Sequence, residues 1–474
     1  MSSSGLAAAT ERMREAGVSD LAIAVFADAY RALENNETGL IPEGSIEPLD
    51  EVTHLSELES DDIAEAAVLK RTVIIKPNGG LGTSMGISGP KTALEVRDGL
   101  SFLDITARQI LALRARHGVE LPLILMDSFR TREQTLARLA AHPELAVDGL
   151  PLDFLQSAEP KLRADDLTPV SWPDDPDLEW CPPGHGDLYV ALQSTGLLDA
   201  LRERGFRYAF LANADNLGAT CDPRIPAWMA HERIPYVAEV CDRTPNDRKG
   251  GHLGIRRSDG QLILRDNAQV APEDMDAYQD IERHRFFHTN NLWVDLDALA
   301  AALDDRGGRL GLPLIVNRKT VDPKRKDSTP VIQIESAMGS AIGVIPGARA
   351  LAVPRDRFRP VKTTNELLLL RSDLYTLTPD FFISATTDGP EPRIDLGAAY
   401  AMVGDFENRF PKGPPSLRKA SSLTIRGDLE FGSDVAVIDD VLITADGPRR
   451  VPDGTRLTAS TDGAALPARE SARV

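Results

Sequence analysis

A chain of 474 residues, of which 42% are hydrophobic, is long enough for a large globular core with one or more smaller parts. Its 53 Lys and Arg residues against 72 Asp and Glu residues give a net charge of −19 at pH 7. This balance argues against nucleic acid and anionic membrane surfaces as partners, so any anionic substrate needs a locally basic pocket.

The three cysteines, Cys181, Cys221 and Cys241, form no CxxC pair, which argues against a disulfide scaffold or a zinc site. The first residues lack the basic segment and uninterrupted apolar stretch of a signal peptide. No segment has the roughly 18 to 20 apolar residues of a membrane-spanning helix. We therefore expect buried free thiols, a cytoplasmic location and no membrane association.

Residues 1–70 space their apolar residues as a helix does, around an acidic loop, and this predicts a helical N-terminal portion. From Thr72, strand-like runs alternate with helical segments. The strand-like runs are TVIIK, LPLILM, FRYAFLA, YVAEVCD and FFHTNNLWVDL, and the helical segments are residues 104–116, 131–141, 188–204 and 296–303. Such alternation predicts an α/β domain over residues 71–375, with a Rossmann-like mixed, mostly parallel sheet. Ligands of such sheets bind at the carboxyl ends of strands.

Residues 376–474 follow a different pattern, and no helix is predicted after Tyr375. From residue 423, apolar residues recur every six positions in two registers, which are Leu423, Leu429, Val435 and Val441, and Ile425, Phe431, Val437 and Ile443. Two such registers favour a C-terminal parallel β-helix over a plain β-meander. Residues 459–474 are predicted to be a solvated, disordered tail.

A glycine-rich segment, PNGGLGTSMGISGPKT, directly follows the strand TVIIK. Its consecutive glycines let backbone N–H groups face the phosphates of a nucleotide. The segment is not a P-loop, because Pro90 precedes Lys91, and it is not a dinucleotide fingerprint, because Met85 stands at the third glycine position. Taken alone, it leaves a simple turn as the alternative.

The longer segment NGGLGTSMGISGPKTALEVRDGLSFLDI resembles, nearly residue for residue, the signature of the eukaryotic-type UTP:glucose-1-phosphate uridylyltransferases, or UDP-glucose pyrophosphorylases. Further blocks match in the same order, namely MDSFRT, PPGHGDLY, NADNLGAT, KGGHLG, FHTNNLW, IESAMGSAIG and RFRPVKTTNELLLLRSDLY. The six-residue repeat also suits the β-helix of this family. The resemblance implies attack of a glucose 1-phosphate oxygen on the α-phosphorus of UTP, with pyrophosphate leaving.

Because both reactants are anions, this reaction needs charge neutralisation and in-line positioning above all. The resemblance implies Lys91 and Lys362 as the catalytic cations, with Lys91 on the UTP phosphates. A loop lysine by itself is more often a solvated charge, and Lys362 lies beside two further cations, Arg357 and Arg359. Lys249 is a weaker candidate of the same kind.

Asp215 follows the strand-like run FRYAFLA, so its carboxylate is predicted at the carboxyl end of a central strand. A hard oxygen there suits Mg²⁺ shared with substrate phosphates, and the resemblance implies that role. Without the resemblance, a helix cap or turn is the more frequent use of such a residue. Asn213 lies two residues earlier, on the same side of an extended chain, and the resemblance implies that it lies near the sugar phosphate.

The resemblance implies the other ligand contacts. The UTP-binding positions are Pro77, Asn78, Gly79, Gly80, Lys91, Gln156, Gly184, Asp215 and Lys362, and the sugar-phosphate positions are Gly79, Gly80, His185, Asn213, Asn290 and Glu335. Gln156 would bond the uracil edge through its amide. His185 would bind substrate, since a phosphate oxygen is already anionic and needs no general base. For Asn290 and Glu335, a purely structural role is the alternative.

The sequence departs from the family pattern at Pro77, Asp127, His288, Arg318 and Ser336, without losing a lysine or the metal carboxylate. These positions lie in loops around uridine and sugar. They leave open a broad-specificity UDP-sugar pyrophosphorylase and, in a different class, a non-catalytic nucleotide-sugar sensor on the same fold. A homo-oligomer is also left open.

Overall fold

The computed structural model describes residues 2–244 and 247–469. The helices are α1 (Ser2–Glu15), α2 (Asp20–Glu34), α3 (Asp62–Leu69), α4 (Phe102–His117), α5 (Arg132–Leu139), α6 (Leu188–Ser194), α7 (Leu197–Glu203), α8 (Arg224–Glu232), α9 (Met275–Gln279), α10 (Leu296–Asp304), α11 (Thr364–Arg371) and α12 (Val403–Arg409).

The strands up to the middle of the chain are β1 (Ile46–Pro48), β2 (Thr53–His54), β3 (Thr72–Pro77), β4 (Glu95–Arg97), β5 (Leu100–Ser101), β6 (Leu123–Asp127), β7 (Asp153–Leu155), β8 (Glu159–Pro160), β9 (Leu162–Arg163), β10 (Trp180–Cys181), β11 (Tyr208–Leu211), β12 (Tyr236–Asp242), β13 (His252–Arg256) and β14 (Leu262–Arg265). The later strands are β15 (Phe286–Asp295), β16 (Ile315–Thr320), β17 (Pro330–Glu335), β18 (Arg349–Ala352), β19 (Tyr375–Leu377), β20 (Ile383–Ala385), β21 (Arg393–Asp395), β22 (Ser416–Arg426), β23 (Leu429–Phe431), β24 (Ala436–Thr444), β25 (Arg449–Val451) and β26 (Arg456–Leu457).

A large mixed sheet forms the centre of the molecule, in the order β2-β18-β12-β15-β11-β3-β6-β7. Strands β11, β3, β6 and β7 pair in parallel, as do β12, β18 and β2. Strand β15 runs antiparallel to both β11 and β12, and an antiparallel branch of β1, β13 and β14 joins it. The predicted α/β class with a mixed sheet is therefore confirmed.

The central strands are buried on both faces because their apolar side chains alternate between two cores. Val73 and Ile75 of β3 pack in the core that contains α6, α7 and α10, and Ile74 packs in the core that contains α3, α4 and α8. Helices thus cover both faces of the parallel strands, and the strand ends are left to bind a ligand.

The N-terminal helices lie on a separate antiparallel sheet, β16-β17-β9. Phe26 and Tyr30 of α2 share a core with Leu162 and Ile332, and the Tyr30 hydroxyl donates to the Leu167 carbonyl at 3.0 Å. The predicted helical N-terminal portion is confirmed, since α1, α2 and α3 form within it. It also contributes β1 and β2 to the central sheet, which the helical pattern did not predict.

The last hundred residues contain two sheets of parallel strands, β21-β22-β24-β26 and β23-β25. All eight residues of the two predicted six-residue registers are at most 2% exposed. The prediction of no helix after Tyr375 is wrong, since α12 forms there. It forms because Phe410, just beyond its end, packs against Phe406, Tyr400 and Phe431.

The predicted disordered tail is wrong for residues 459–469. Leu466 is buried in the core of the C-terminal strands, and its carbonyl accepts a hydrogen bond from Arg449 at 3.0 Å. Ala468 forms an isolated bridge with Arg449. Burial of one apolar side chain and two backbone contacts hold this segment in place. Residues 470–474 of the predicted tail lie outside the described residues.

The three cysteines are buried and free, as predicted. Within residues 2–244 and 247–469, no helix combines the length and apolar character needed to cross a bilayer.

Candidate active site

Four loops meet at the carboxyl edge of the parallel strands β7, β6, β3 and β11, because parallel strands end on the same side of a sheet. The glycine-rich loop follows β3 and spans residues 78–91. It closes on itself through a bridge between Leu81 and Pro90 and a bond from the Lys91 N–H to the Gly80 carbonyl at 3.4 Å. Gly80 is exposed, with open space where a Cβ would stand, so no side chain separates its backbone from a ligand.

The side chain of Asn78 anchors this loop to the protein beneath it. Its Nδ2 donates to Asp127 Oδ1 at 2.7 Å and to Thr135 Oγ1 at 2.9 Å, and its Oδ1 accepts from Thr92 Oγ1 at 2.6 Å. Asn78 is buried, and both ends of its amide are used. Because its N–H donates to the Met126 carbonyl at 2.7 Å, its predicted contribution to UTP binding is left to its backbone carbonyl.

The Asp127 carboxyl is fully buried under the glycine-rich loop. Its Oδ1 accepts hydrogen bonds from Asn78, Thr131 and Thr135, and its Oδ2 has no partner among the described residues. Burial raises the pKa of Asp127 to about 6. At neutral pH the protein thus carries the cost of a buried carboxylate whose Oδ2 has no hydrogen-bond partner among the described residues.

The variant Asp127→Asn is expected to stabilise the protein more at pH 8 than at pH 5, by about 1 kcal/mol. Since the pKa of Asp127 is raised on folding, the folded state holds more protons than the unfolded state between about pH 4 and 6, and stability falls as pH rises. Asparagine keeps the Oδ1 acceptor and carries no charge. Urea unfolding at both pH values measures the difference. The exposed Asp148→Asn should show no pH-dependent change, and equal gains at both pH values for Asp127→Asn would contradict the expectation.

Gly79 and Gln156 lie against each other at the ends of β3 and β7. A Cβ on residue 79 would stand 2.4 Å from Gln156 Nε2, so only glycine lets the Gln156 amide occupy this position. The Gln156 N–H donates to the Asp127 carbonyl at 2.8 Å, and Ser128 Oγ donates to the Gly79 carbonyl at 3.0 Å. The structure thus brings together the residues predicted for the uracil side, next to Pro77 at the end of β3.

Lys91 and Asp215 form an ion pair, with Nζ and Oδ2 separated by 2.6 Å. Both side chains are partly exposed, at 18% and 22%. No group of three or more His, Cys, Asp or Glu residues that could hold a metal ion occurs in the described part of the chain. Asp215 therefore offers a single carboxylate, which fits Mg²⁺, since this ion takes one or two protein carboxylates together with phosphate oxygens and waters.

Asn213 and Asn290 meet on the sugar side, where Asn290 Nδ2 donates to Asn213 Oδ1 at 3.1 Å. Asn290 has φ +61° although it lies within β15, next to a shift in register between β12 and β15. A left-handed residue inside a strand is strained, and such strain occurs at functional sites. The irregularity turns the Asn290 amide towards the end of β11.

His185 and Glu335 come from two loops that pack together. His185 Nδ1 accepts from the Met338 N–H at 2.9 Å, and burial lowers the pKa of His185, so the neutral ring carries its proton on Nε2. Gly184 has φ +79°, and a Cβ there would stand 2.5 Å from the Ser336 carbonyl oxygen. Glu335 ends β17 directly before Ser336. This close contact fixes the two loops relative to each other.

Lys362 is exposed and has no ion-pair partner among the described residues. Its segment runs beside the end of β11, because Pro360 forms a bridge with Asn216, the residue after Asp215. Lys362 lines a cavity of about 420 Å³ together with four further cations and three acids. The cations are Lys249, Arg355, Arg359 and Arg393, and the acids are Asp247, Glu366 and Glu391. The cavity is locally basic in an otherwise acidic protein.

The sequence did not predict the buried ion pair beneath the site. Glu239 is fully buried and accepts from Arg357 Nη2 at 2.5 Å and from Arg357 Nε at 2.8 Å. It also accepts from Trp293 Nε1 at 2.9 Å and Asn291 Nδ2 at 3.0 Å. The sequence feature that could have indicated this pair is the single Glu within the apolar run YVAEVCD. A charged residue in a buried strand requires a partner of opposite charge. This network fixes β12, β15 and the segment that leads to Lys362.

A family model described as UTP–glucose-1-phosphate uridylyltransferase matches residues 23–437. The chain belongs to the UTP–glucose-1-phosphate uridylyltransferase family. The uridylyltransferase of this name from Solanum tuberosum is 39% identical over 417 residues, covering 86% of this chain and 85% of that protein. The one from Saccharomyces cerevisiae is 38% identical over 407 residues, covering 85% and 80%.

Solved structures of uridylyltransferases agree with this assignment. A Trypanosoma brucei protein named UDP-glucose phosphorylase has a TM-score of 0.90 and 41% identity, covering 96% of this chain and 99% of that one. A mutant of Leishmania major UDP-glucose pyrophosphorylase in complex with UDP-glucose has a TM-score of 0.89 and 41% identity, covering 97% and 98%. The resemblance inferred from the glycine-rich segment and the seven later blocks is thereby confirmed.

Proposed function

We propose that this protein transfers the uridylyl group of UTP to glucose 1-phosphate, giving UDP-glucose and pyrophosphate. The observation that carries the proposal is the Lys91–Asp215 pair at the carboxyl edge of the sheet, next to the basic cavity of Lys362. Lys91 and Lys362 together supply two separate ammonium groups, and Asp215 supplies one carboxylate that can bind a metal ion. The displacement needs all three groups. Relatives of that name, at about 39% identity over most of their length, support the substrates.

The Lys91–Asp215 pair suggests how the site accepts a charged nucleotide. A triphosphate would take over Lys91 as its counter-charge, and Asp215 would then be free to share Mg²⁺ with the phosphates. Bound Mg²⁺ would neutralise charge on the triphosphate and help to orient it. Lys362 would neutralise charge that develops on the departing pyrophosphate. A phosphate oxygen of the sugar attacks the α-phosphorus in line, and no covalent enzyme intermediate is needed.

The other predicted residues would orient the two reactants. The Gln156 amide would bond the imide edge of uracil, above the backbone of Gly79. His185, neutral and protonated on Nε2, would donate a hydrogen bond to the sugar phosphate. Asn213, Asn290 and Glu335 would bond the hexose and its phosphate, where paired hydrogen bonds discriminate between sugars.

We also infer that the C-terminal parallel strands form the turns of a β-helix. The parallel pairing of β22 with β24 and of β23 with β25, with both six-residue registers buried, supports this arrangement. Domain boundaries near residues 70 and 375, a cytoplasmic location and a homo-oligomer stay predictions.

The proposal is tested by pyrophosphate release from UTP with glucose 1-phosphate, galactose 1-phosphate and N-acetylglucosamine 1-phosphate. We expect the highest kcat/KM for glucose 1-phosphate, by about tenfold or more, and no release after removal of Mg²⁺. Similar kcat/KM values for several sugars would support the broad-specificity alternative. No release with any sugar would support the nucleotide-sugar sensor.

The variant Asp215→Asn is expected to lower kcat about 10²-fold and to raise the Mg²⁺ concentration needed for half-maximal rate. The amide keeps the shape of the side chain but loses the charge that binds the ion. Titration of Mg²⁺ at saturating substrates measures both effects. The exposed Asp304→Asn serves as control. An unchanged Mg²⁺ requirement in Asp215→Asn would contradict the assigned metal role.

A further inference from the structure

The side chain of Asn216, the residue after Asp215, joins the loop of Asp215 to the segment that leads to Lys362. Its Nδ2 donates to the Arg357 carbonyl at 3.1 Å, and its Oδ1 accepts from the Arg359 N–H at 2.8 Å. These two backbone groups belong to the same passing chain, so one amide binds it as a neighbouring strand would. Asn216 is 2% exposed, which keeps water from competing for these bonds.

The same amide is also tied to the sheet and to its own loop. Nδ2 of Asn216 donates to Asn291 Oδ1 at 3.3 Å, and Oδ1 accepts from the Gly218 N–H at 3.1 Å. A primary amide has two donor hydrogens and two acceptor positions, and all four are used here. A Cβ on residue 218 would overlap the Asp356 carbonyl oxygen, so the loop and the segment are in direct contact.

The backbone on each side of Lys362 is anchored as well. Val361 is fully buried and packs in the same core as Leu217, the residue after Asn216. Thr363 is the N-cap of α11. The exposed ammonium group of Lys362 thus extends from a backbone whose place is set by its contacts with the loop of Asp215.

We propose that Asn216 is a positioning residue, whose amide holds the segment of Lys362 against the loop of Asp215 so that both side chains reach one bound triphosphate. A displacement of a catalytic group by about 1 Å costs roughly 10²-fold in rate, so a loosened segment lowers turnover although no charge is lost. Arg357 and Arg359 contribute backbone atoms to these bonds, so only a change at Asn216 removes them. The effect on turnover rests on the proposed function, whereas the attachment of the segment does not.

The test measures the effect of Asn216→Ala on kcat in the unchanged protein and in Lys362→Ala, by pyrophosphate release at saturating substrates. Asn216→Ala alone is expected to lower kcat by about 10- to 10²-fold. In Lys362→Ala it should lower kcat by no more than about twofold further, because the ammonium group that it positions is absent. Equal losses in both proteins would show a merely structural effect and overturn the proposal, as would normal turnover of Asn216→Ala.

Two more variants separate attachment of the segment from other effects. A serine hydroxyl at residue 216 can still accept from the Gly218 N–H, but it is one bond too short for the Arg359 N–H. Asn216→Ser should therefore lose turnover as Asn216→Ala does, and turnover close to that of the unchanged protein would contradict the proposal. Ser422→Ala removes a buried hydrogen bond to Asp440 in the C-terminal strands and should lower the unfolding midpoint without lowering kcat. If Asn216→Ala does not fold, Asn216→Ser in the same two proteins decides.

Hydrogen–deuterium exchange measures the attachment without activity. In Asn216→Ala, amides of residues 357–363 should exchange about tenfold or more faster, while those of residues 416–426 in β22 stay unchanged. Unchanged exchange of residues 357–363 would overturn the proposal. A chain that releases no pyrophosphate would overturn the proposed function, and the exchange rates would still decide whether Asn216 holds the segment.

Discussion

Lys362→Ala is expected to lower turnover about 10²- to 10³-fold and to leave the unfolding midpoint unchanged. Lys362 is exposed and has no ion-pair partner among the described residues, so its removal breaks no packing. What is lost is an ammonium group that lines the basic cavity. Under the proposed function, this group neutralises charge on the reacting phosphates. Pyrophosphate release at saturating substrates measures turnover, and circular dichroism on heating measures the midpoint.

Two further variants make this result specific. Lys362→Arg keeps the charge and is expected to recover part of the turnover, because a planar guanidinium follows a moving phosphate less well than an ammonium group. Lys412→Ala removes an exposed lysine elsewhere and should have no effect. Normal turnover in Lys362→Ala would remove this residue from the catalytic group.

Glu239→Ala is expected to reduce the free energy of unfolding by about 3 to 5 kcal/mol. The substitution leaves the Arg357 guanidinium, which is 6% exposed, without its carboxylate partner. It also removes the acceptor for Trp293 Nε1 and Asn291 Nδ2. Urea unfolding followed by fluorescence and by circular dichroism measures the loss.

An exposed ion pair provides the control for this loss. Asp242 pairs with Arg285 at 2.7 Å, with side-chain exposures of 63% and 56%. Asp242→Asn should therefore change the free energy of unfolding by at most about 1 kcal/mol. Removing both buried charges with Glu239→Leu and Arg357→Met should cost less than Glu239→Ala alone, because no unpaired charge is left. A loss in Glu239→Ala no larger than in Asp242→Asn would mean that the buried pair contributes little.

Local pattern predicted much of the fold. The run TVIIK is β3 and FRYAFLA contains β11, because an uninterrupted apolar run between helices is typical of a strand covered on both faces. The helix expected over residues 188–204 is instead α6 and α7, since Gly196 adopts φ +74° between them. Strands β1 and β2 were not predicted, because each pairs with a strand far away in the chain. The order of the segment at Leu466 was not predicted, because it depends on packing into the core of the C-terminal strands.

The sequence by itself determined the family, the reaction type it implies and the two buried registers of the C-terminal strands, since these depend on the kind of residue at fixed local spacing. Only the tertiary structure decided that Lys91 pairs with Asp215, 124 residues away, and that Arg357 pairs with Glu239, 118 residues away. Local spacing specifies which side of a strand or helix a residue occupies, whereas the partner of a buried charge is chosen when distant strands pack together.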